Sequence, residues 1–127
     1  MRGLARSMLR MLFIHTLIFS LHQKLIPLTL IIDLNGLQGF GTTKEVAGME
    51  SLTEKFRSFG MPVEEIDGHD LKALQKALDQ NTPGPRAIIS RTTKGNGVSF
   101  MEDKMEWHYL PMSEAQYQQA VQEMEKP

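Results

Sequence analysis

Hydrophobic and polar positions follow two different periods along this chain. Residues 28–34 (LTLIIDL) form a short, nearly continuous apolar and β-branched run followed by glycine-rich sequence, which predicts a buried strand. Val46, Met49, Leu52, Phe56 and Phe59 then recur in steps of three and four. That spacing draws one stripe on a helix over 45–59, with Gly60 as its stop. Residues 61–66 predict a second, weaker strand, and Asp70 caps a helix through Gln80 with Leu71, Leu74 and Leu78 on one face. After the PGP turn at 83–85, residues 86–92 (RAIISRT) predict a third strand ended by KGNG, and Ser113 with Gln116 fits a capping box opening a last helix. Strands separated by helices of this length imply right-handed βαβ crossovers and a mainly parallel sheet, so the fold class is α/β, part of a doubly wound arrangement with flanking helices. In such sheets ligands bind beyond the carboxyl ends of the strands.

The first 27 residues read differently. MRGLARSMLR carries three arginines and no acid, and an apolar run of 11 residues follows, MLFIHTLIFSL. The pair has the layout of a secretory leader, but no clear small-x-small cleavage site comes after it. A bilayer-spanning helix takes about 20 apolar residues, so the run predicts a core helix instead. Two units are therefore expected: a divergent, helical segment over 1–27 and an α/β unit over 28–127.

Composition narrows the chemistry. The chain has 127 residues with 14 basic and 15 acidic side chains, a net charge of −1, which argues against a general nucleic-acid footprint. There is no cysteine, so disulfides, thiolate metal sites and cysteine nucleophiles are excluded, in keeping with a cytoplasmic location. Two clusters could carry function. Asp33-Leu34-Asn35 sits where the first strand ends and is followed by Gly36, Gly39 and Gly41. Oxygen donors of this kind suit a hard cation that shares its shell with phosphate, and glycines let the main chain approach that phosphate. The competing reading is an ordinary turn, with Asp33 a structural acceptor. The second cluster, residues 94–109 (KGNGVSFMEDKMEWHY), places His108 between Trp107 and Tyr109. That imidazole could contact a phosphate or exchange protons, or it could merely satisfy a carbonyl in an aromatic patch. His69, in DGHD, reads as part of a helix start.

Taken in order, LTLIIDLNGLQGFGTTKEV, GMESLTEKFRSFGMPVEEIDGHDL and RAIISRTTKGNGVSFMEDKMEWHYLPMSEAQY resemble the later half of the thiamine-diphosphate-binding domain of transketolase, in the type whose N-terminal section is encoded apart from its C-terminal section. The resemblance runs from about Leu21 to about Val121. It implies thiamine diphosphate and magnesium (or calcium) as cofactors, with the Asn35 side chain and the Leu37 backbone carbonyl as metal ligands. It also implies Gly36 beside the cofactor, and His108 as a catalytic residue facing the diphosphate and the sugar. The family reaction moves a two-carbon ketol unit between sugar phosphates. Its partner would be a transketolase C-terminal section or a second copy, with neither nucleic acid nor membrane involved.

The chain also departs from the family. The Gly-Asp-Gly element that carries a further metal ligand in transketolases is nowhere in the sequence, Asn96 replaces the usual lysine of KGKG, and Leu110 stands where arginine is frequent. The resemblance therefore implies only the diphosphate side of a site, a fragment inactive by itself, and a sheet with an unpaired edge. The alternative function is a non-catalytic module that pairs with a transketolase C-terminal section.

Overall fold

In the computed structural model the described residues are 2–125, with side chains described from Leu12 onward except that of Ala47. A helix, α1 (Arg2–His22), leads into strand β1 (Thr29–Leu34), a small hairpin of β2 (Leu37–Gln38) and β3 (Gly41–Thr42), and helix α2 (Thr43–Ala47). A 3-10 turn (Met49–Ser51) precedes α3 (Leu52–Ser58), then β4 (Val63–Asp67), α4 (Leu71–Leu78) and β5 (Arg86–Arg91). A second 3-10 turn (Met105–His108) and helix α5 (Glu114–Met124) complete the chain.

The three longer strands form one parallel sheet in the order β1-β5-β4. Register fixes which side chains share a face. Leu30 and Ile32 of β1, Ala87 of β5 and Val63 of β4 point to one side, where they pack with Leu17 of α1, Phe56 of α3 and Met61. Ile88 of β5 and Ile66 of β4 point to the other side and pack with Ala73, Leu74 and Ala77 of α4. Helices thus cover both faces, and the α/β class with a parallel sheet stands.

The most buried strand is β5, in which the five residues Arg86–Ser90 are all buried. Its central position explains this: it has a strand on each side and a helix layer on each face. β1, expected to be fully buried, is an edge strand, and its outer edge has no strand partner among the described residues. Ile31 shares the face of Ile88 but is not part of the cluster packed with α4, and it is 51% exposed. The apolar run does form a strand, but its position in the sheet order leaves it half covered.

The single helix expected over 45–59 is also corrected. Thr42 accepts from the Glu45 N–H while the Glu45 carboxylate accepts from the Thr42 N–H and hydroxyl, a complete capping box that starts α2. Gly48 then adopts the left-handed conformation (φ 57°) and returns its N–H to the Lys44 and Thr43 carbonyls, ending α2 after five residues. Val46 and Phe59 remain substantially exposed, and only Leu52 and Phe56 of the stripe join the core. The caps of the other helices follow the sequence: Asp70 accepts from the N–H groups of Lys72 and Ala73, and Ser113 with Gln116 forms a capping box. Among the described residues no helix is long and apolar enough to cross a membrane.

Candidate functional site

Because β1, β5 and β4 are parallel, their carboxyl ends lie along one edge of the sheet. Asp33 and Asn35 leave β1 there, Thr92 and Thr93 leave β5, and Gly68 and His69 leave β4. The three exits are tied to one another. The Thr92 hydroxyl donates to Asp33 Oδ1, so the carboxylate at the end of β1 is engaged as a structural acceptor. The Gly68 N–H donates to the Arg91 carbonyl (2.7 Å), and the Thr93 N–H donates to His69 Nε2 (2.8 Å). The imidazole of His69 therefore bridges the β4 and β5 exits, a role that its local sequence context, a helix start, does not reveal. The backbone N–H of His69 donates in turn to Asp67 Oδ1 (2.9 Å), which fixes the main chain that carries the ring.

Close to that edge, Arg91 donates twice to Glu65 Oε2 (3.0 and 2.8 Å), and Thr53 of α3 donates to Glu65 Oε1. The Thr53 hydroxyl first and the Arg91 guanidinium second hold the Glu65 carboxyl below its ordinary range.

The polar loop after β1 turns on Asn35. Its side-chain oxygen accepts from the Leu37 N–H (3.0 Å), an Asx-type turn, and Gly36 supplies the positive φ of 79° that the turn requires. The turn reading of DLNG is thus realised, and the carboxamide is half-buried rather than packed away. The hairpin that follows orients Leu37. This residue pairs with Thr42, and the Thr43 N–H donates to the Gly36 carbonyl (2.9 Å), so the hydrogen-bonded pair is 36 with 43. Antiparallel ladders alternate, hence the N–H and C=O of Leu37 both point away from Thr42. Its carbonyl emerges on the edge where its N–H meets the Asn35 amide. Two oxygen donors, one carboxamide and one carbonyl, are therefore displayed along one side of a short loop, and the Asn35 oxygen retains a second lone pair.

Among the described residues no group of three or more His, Cys, Asp or Glu is disposed to hold a metal. Any hard cation at this loop would take neutral oxygens from the chain and the remainder of its shell from elsewhere.

The second candidate cluster reaches the same loop. The 3-10 turn carrying His108 packs against β2, and the Tyr109 hydroxyl donates to the Gly39 carbonyl at the hairpin tip (2.6 Å). Trp107 anchors the turn from the other side: its indole N–H donates to the Phe100 carbonyl (2.9 Å), and its ring meets that of Phe100 edge-on at 5.2 Å. His108 itself is exposed, with its ring 6.1 Å from that of Tyr109. Farther along the chain, a cavity of about 340 Å³ between residues 95–101 and α5 is lined by Val98, Met101, Met112, Tyr117, Val121 and Met124. Its lining is almost wholly apolar, so it offers no convergent polar group of the kind the loop presents.

No model of a protein family matches the chain. Individual proteins do. An apulose-4-phosphate transketolase subunit from Phocaeicola vulgatus is 39% identical over 104 residues, which cover 80% of this chain and 37% of that protein. A 6-deoxy-6-sulfo-D-fructose transketolase subunit from a Clostridium species is 35% identical over 111 residues, covering 85% and 40% of the two chains. Among solved structures, the transketolase of Campylobacter jejuni superposes with a TM-score of 0.77 at 28% identity over 85% of this chain and 17% of that one. The chain thus spans two-fifths or less of the length of these relatives. Similarity of sequence over four-fifths of the chain, carried on the same fold, makes it a member of the transketolase family.

Proposed function

We propose that the loop after β1 is the diphosphate side of a thiamine-diphosphate site, where Asn35 and Leu37 contribute oxygens to a magnesium (or calcium) ion and Gly36 lets the main chain approach the cofactor. The observation that supports this reading is the Asx turn, in which the Asn35 side-chain oxygen accepts from the Leu37 N–H, beside a hairpin register that turns the Leu37 carbonyl away from Thr42. Neutral oxygen donors suit a hard divalent cation whose remaining positions are filled by phosphate and water. When bound, the cofactor supplies the electron sink for two-carbon ketol transfer, and the protein supplies position and electrostatics.

The chain's own residues have limited tasks in this scheme. Asn35 and Leu37 fix the cation and with it the diphosphate. Asp33, held by Thr92, keeps the β1 exit in register with β5. His108 faces the diphosphate and the sugar from the 3-10 turn, where its exposed imidazole can donate to a phosphate oxygen or exchange a proton with a sugar hydroxyl. The relatives' names, for an apulose phosphate and a sulfonated deoxyfructose, support ketoses bearing an anionic group as the substrate class. Both of these relatives are named as subunits, which supports a partner section that completes the site on its other side; the chain alone is then inactive.

Isothermal titration calorimetry of the chain with its complementary section tests this reading. Thiamine diphosphate should bind with a magnesium requirement, Asn35→Ala should weaken binding at least tenfold, and Asn35→Asp should retain part of it. Equal affinity in wild type and Asn35→Ala would refute the assignment. A second reading, a non-catalytic module for the same partner, is favoured by the outer edge of β1, unpaired among the described residues, and by the exposed Ile31. It predicts association with the partner that neither cofactor nor Asn35→Ala alters.

A further inference from the structure

The β2–β3 hairpin is two residues long on each side, with Gly39 and Phe40 as its turn. Isolated hairpins are marginal in water at best, so one this short needs external support to hold a single geometry. Its base has that support in the Thr42–Glu45 capping box and the Thr43–Gly36 hydrogen bond. Its tip does not hold itself, because Phe40 is 84% exposed. The tip is instead held by a residue 70 positions later, Tyr109, whose hydroxyl donates to the Gly39 carbonyl at 2.6 Å. The approach is close enough that a side chain at 39 and the latched tyrosine cannot share the space: a Cβ there would lie 2.1 Å from the Tyr109 hydroxyl and 3.0 Å from its ring carbon. Gly39 is not in the left-handed region, so the space taken by Tyr109 is what excludes a side chain. The Tyr109 ring also leans on Phe40, with centroids 6.3 Å apart.

We infer that Tyr109 is a positioning residue, a latch that clamps the hairpin tip and thereby fixes the direction in which Asn35 and Leu37 present their oxygens. The functional half of this inference rests on the assignment of those two residues as cation ligands. Leu37 is both the first residue of β2 and the donor to Asn35, so rotation of an unlatched hairpin would turn its carbonyl and loosen the Asx turn together. The latch also couples the loop to the turn bearing His108, since Tyr109 follows that histidine directly.

The test pairs two readouts on the chain with its complementary section: amide hydrogen exchange across residues 36–43, and affinity for manganese with thiamine diphosphate. Tyr109→Phe should speed exchange at the hairpin amides, leave α4 and β5 protected, and weaken manganese-dependent binding roughly two- to tenfold, the range of one lost hydrogen bond. Gly39→Ala should expel the tyrosine ring and act alike, and the double variant should be no worse than either single one, because both remove the same contact.

Additive effects, or unchanged exchange in Tyr109→Phe, would overturn the latch. Faster exchange with unchanged affinity would overturn its positioning role. A wild-type chain that binds no manganese while its hairpin still loosens in Tyr109→Phe would overturn the cation assignment and support the mechanical latch, so the two failures are distinguishable.

Discussion

Replacing Gly68 by alanine puts the packing of the strand ends to a quantitative test. Gly68 follows β4 directly and donates its N–H to the Arg91 carbonyl at 2.7 Å. A Cβ at this position would lie 2.1 Å from Ser90 Oγ, 2.4 Å from Thr92 Cγ2 and 3.0 Å from the Arg91 carbonyl oxygen. The backbone is not left-handed here, so the objection to alanine is purely steric. None of the three neighbours yields easily: Ser90 is buried in the central strand, Thr92 is oriented by its bond to Asp33, and the third is backbone. Either the β5 exit rearranges and loses the Thr92–Asp33 contact, or the β4–α4 junction moves out and loses the Gly68–Arg91 bond.

Overpacking of this kind costs about 1–3 kcal/mol and one lost hydrogen bond about 1 kcal/mol, so the variant should lose roughly 2–4 kcal/mol. That is a large part of the roughly 5–15 kcal/mol that holds a typical domain folded. Gly84→Ala is the matched control: no atom lies within 4 Å of its Cβ position and its φ is not left-handed. It should be neutral or stabilising by about 0.4–1 kcal/mol through the unfolded chain. Urea unfolding followed by far-UV circular dichroism compares the two, and Ser90→Ala, which removes the nearest atom, should restore part of the loss. A Gly68→Ala variant within about 0.5 kcal/mol of wild type, the scatter of ordinary surface substitutions, would refute the packing argument.

Two further outcomes follow from individual side chains. Glu65 has its folded pKa lowered by Thr53 and then Arg91, so its contribution to stability is complete above the ordinary carboxylate range and is lost as pH falls through that range to the lower folded value. The difference in urea midpoint between wild type and Glu65→Gln should therefore be present at neutral pH and shrink in acid; a difference that grows in acid would contradict the assignment. Asp70 caps α4 through two N–H groups at 2.8 and 3.1 Å, so Asp70→Ala should cost about 1 kcal/mol in the same urea assay, the middle of the range for such caps. An unchanged midpoint would show the cap to be redundant.

Much of the fold is legible in local pattern. β5 announces itself as RAIIS between turn signals, and the caps at Asp70 and Ser113 are local chemistry that the structure reproduces. The break at Gly48 is also local: TTKE at 42–45 is itself a capping-box sequence, and the apolar stripe across 45–59 hides it. The exposure of Ile31 is of a different kind. An apolar run specifies a strand, but whether that strand is central or at an edge depends on sheet order, which no window of β1 contains.

The site divides along the same line. Asn35 and Gly36 are visible because glycines and a carboxamide after a strand are a local signature. The work of His69 and Tyr109 is not, since their partners, Thr93 and Gly39, lie 24 and 70 residues away. The three parallel exits offer the one available hint, because they bring DGHD and RTT to the same edge.

The most direct measurement is paramagnetic broadening of backbone amides by manganese in the presence of thiamine diphosphate, with magnesium as competitor. Broadening should concentrate at Asn35, Gly36 and Leu37, spare Gly84 and α4, reverse with magnesium, and disappear in Asn35→Ala. Broadening centred instead on exposed carboxylates such as Glu50 and Glu54, or persisting unchanged in Asn35→Ala, would contradict the account.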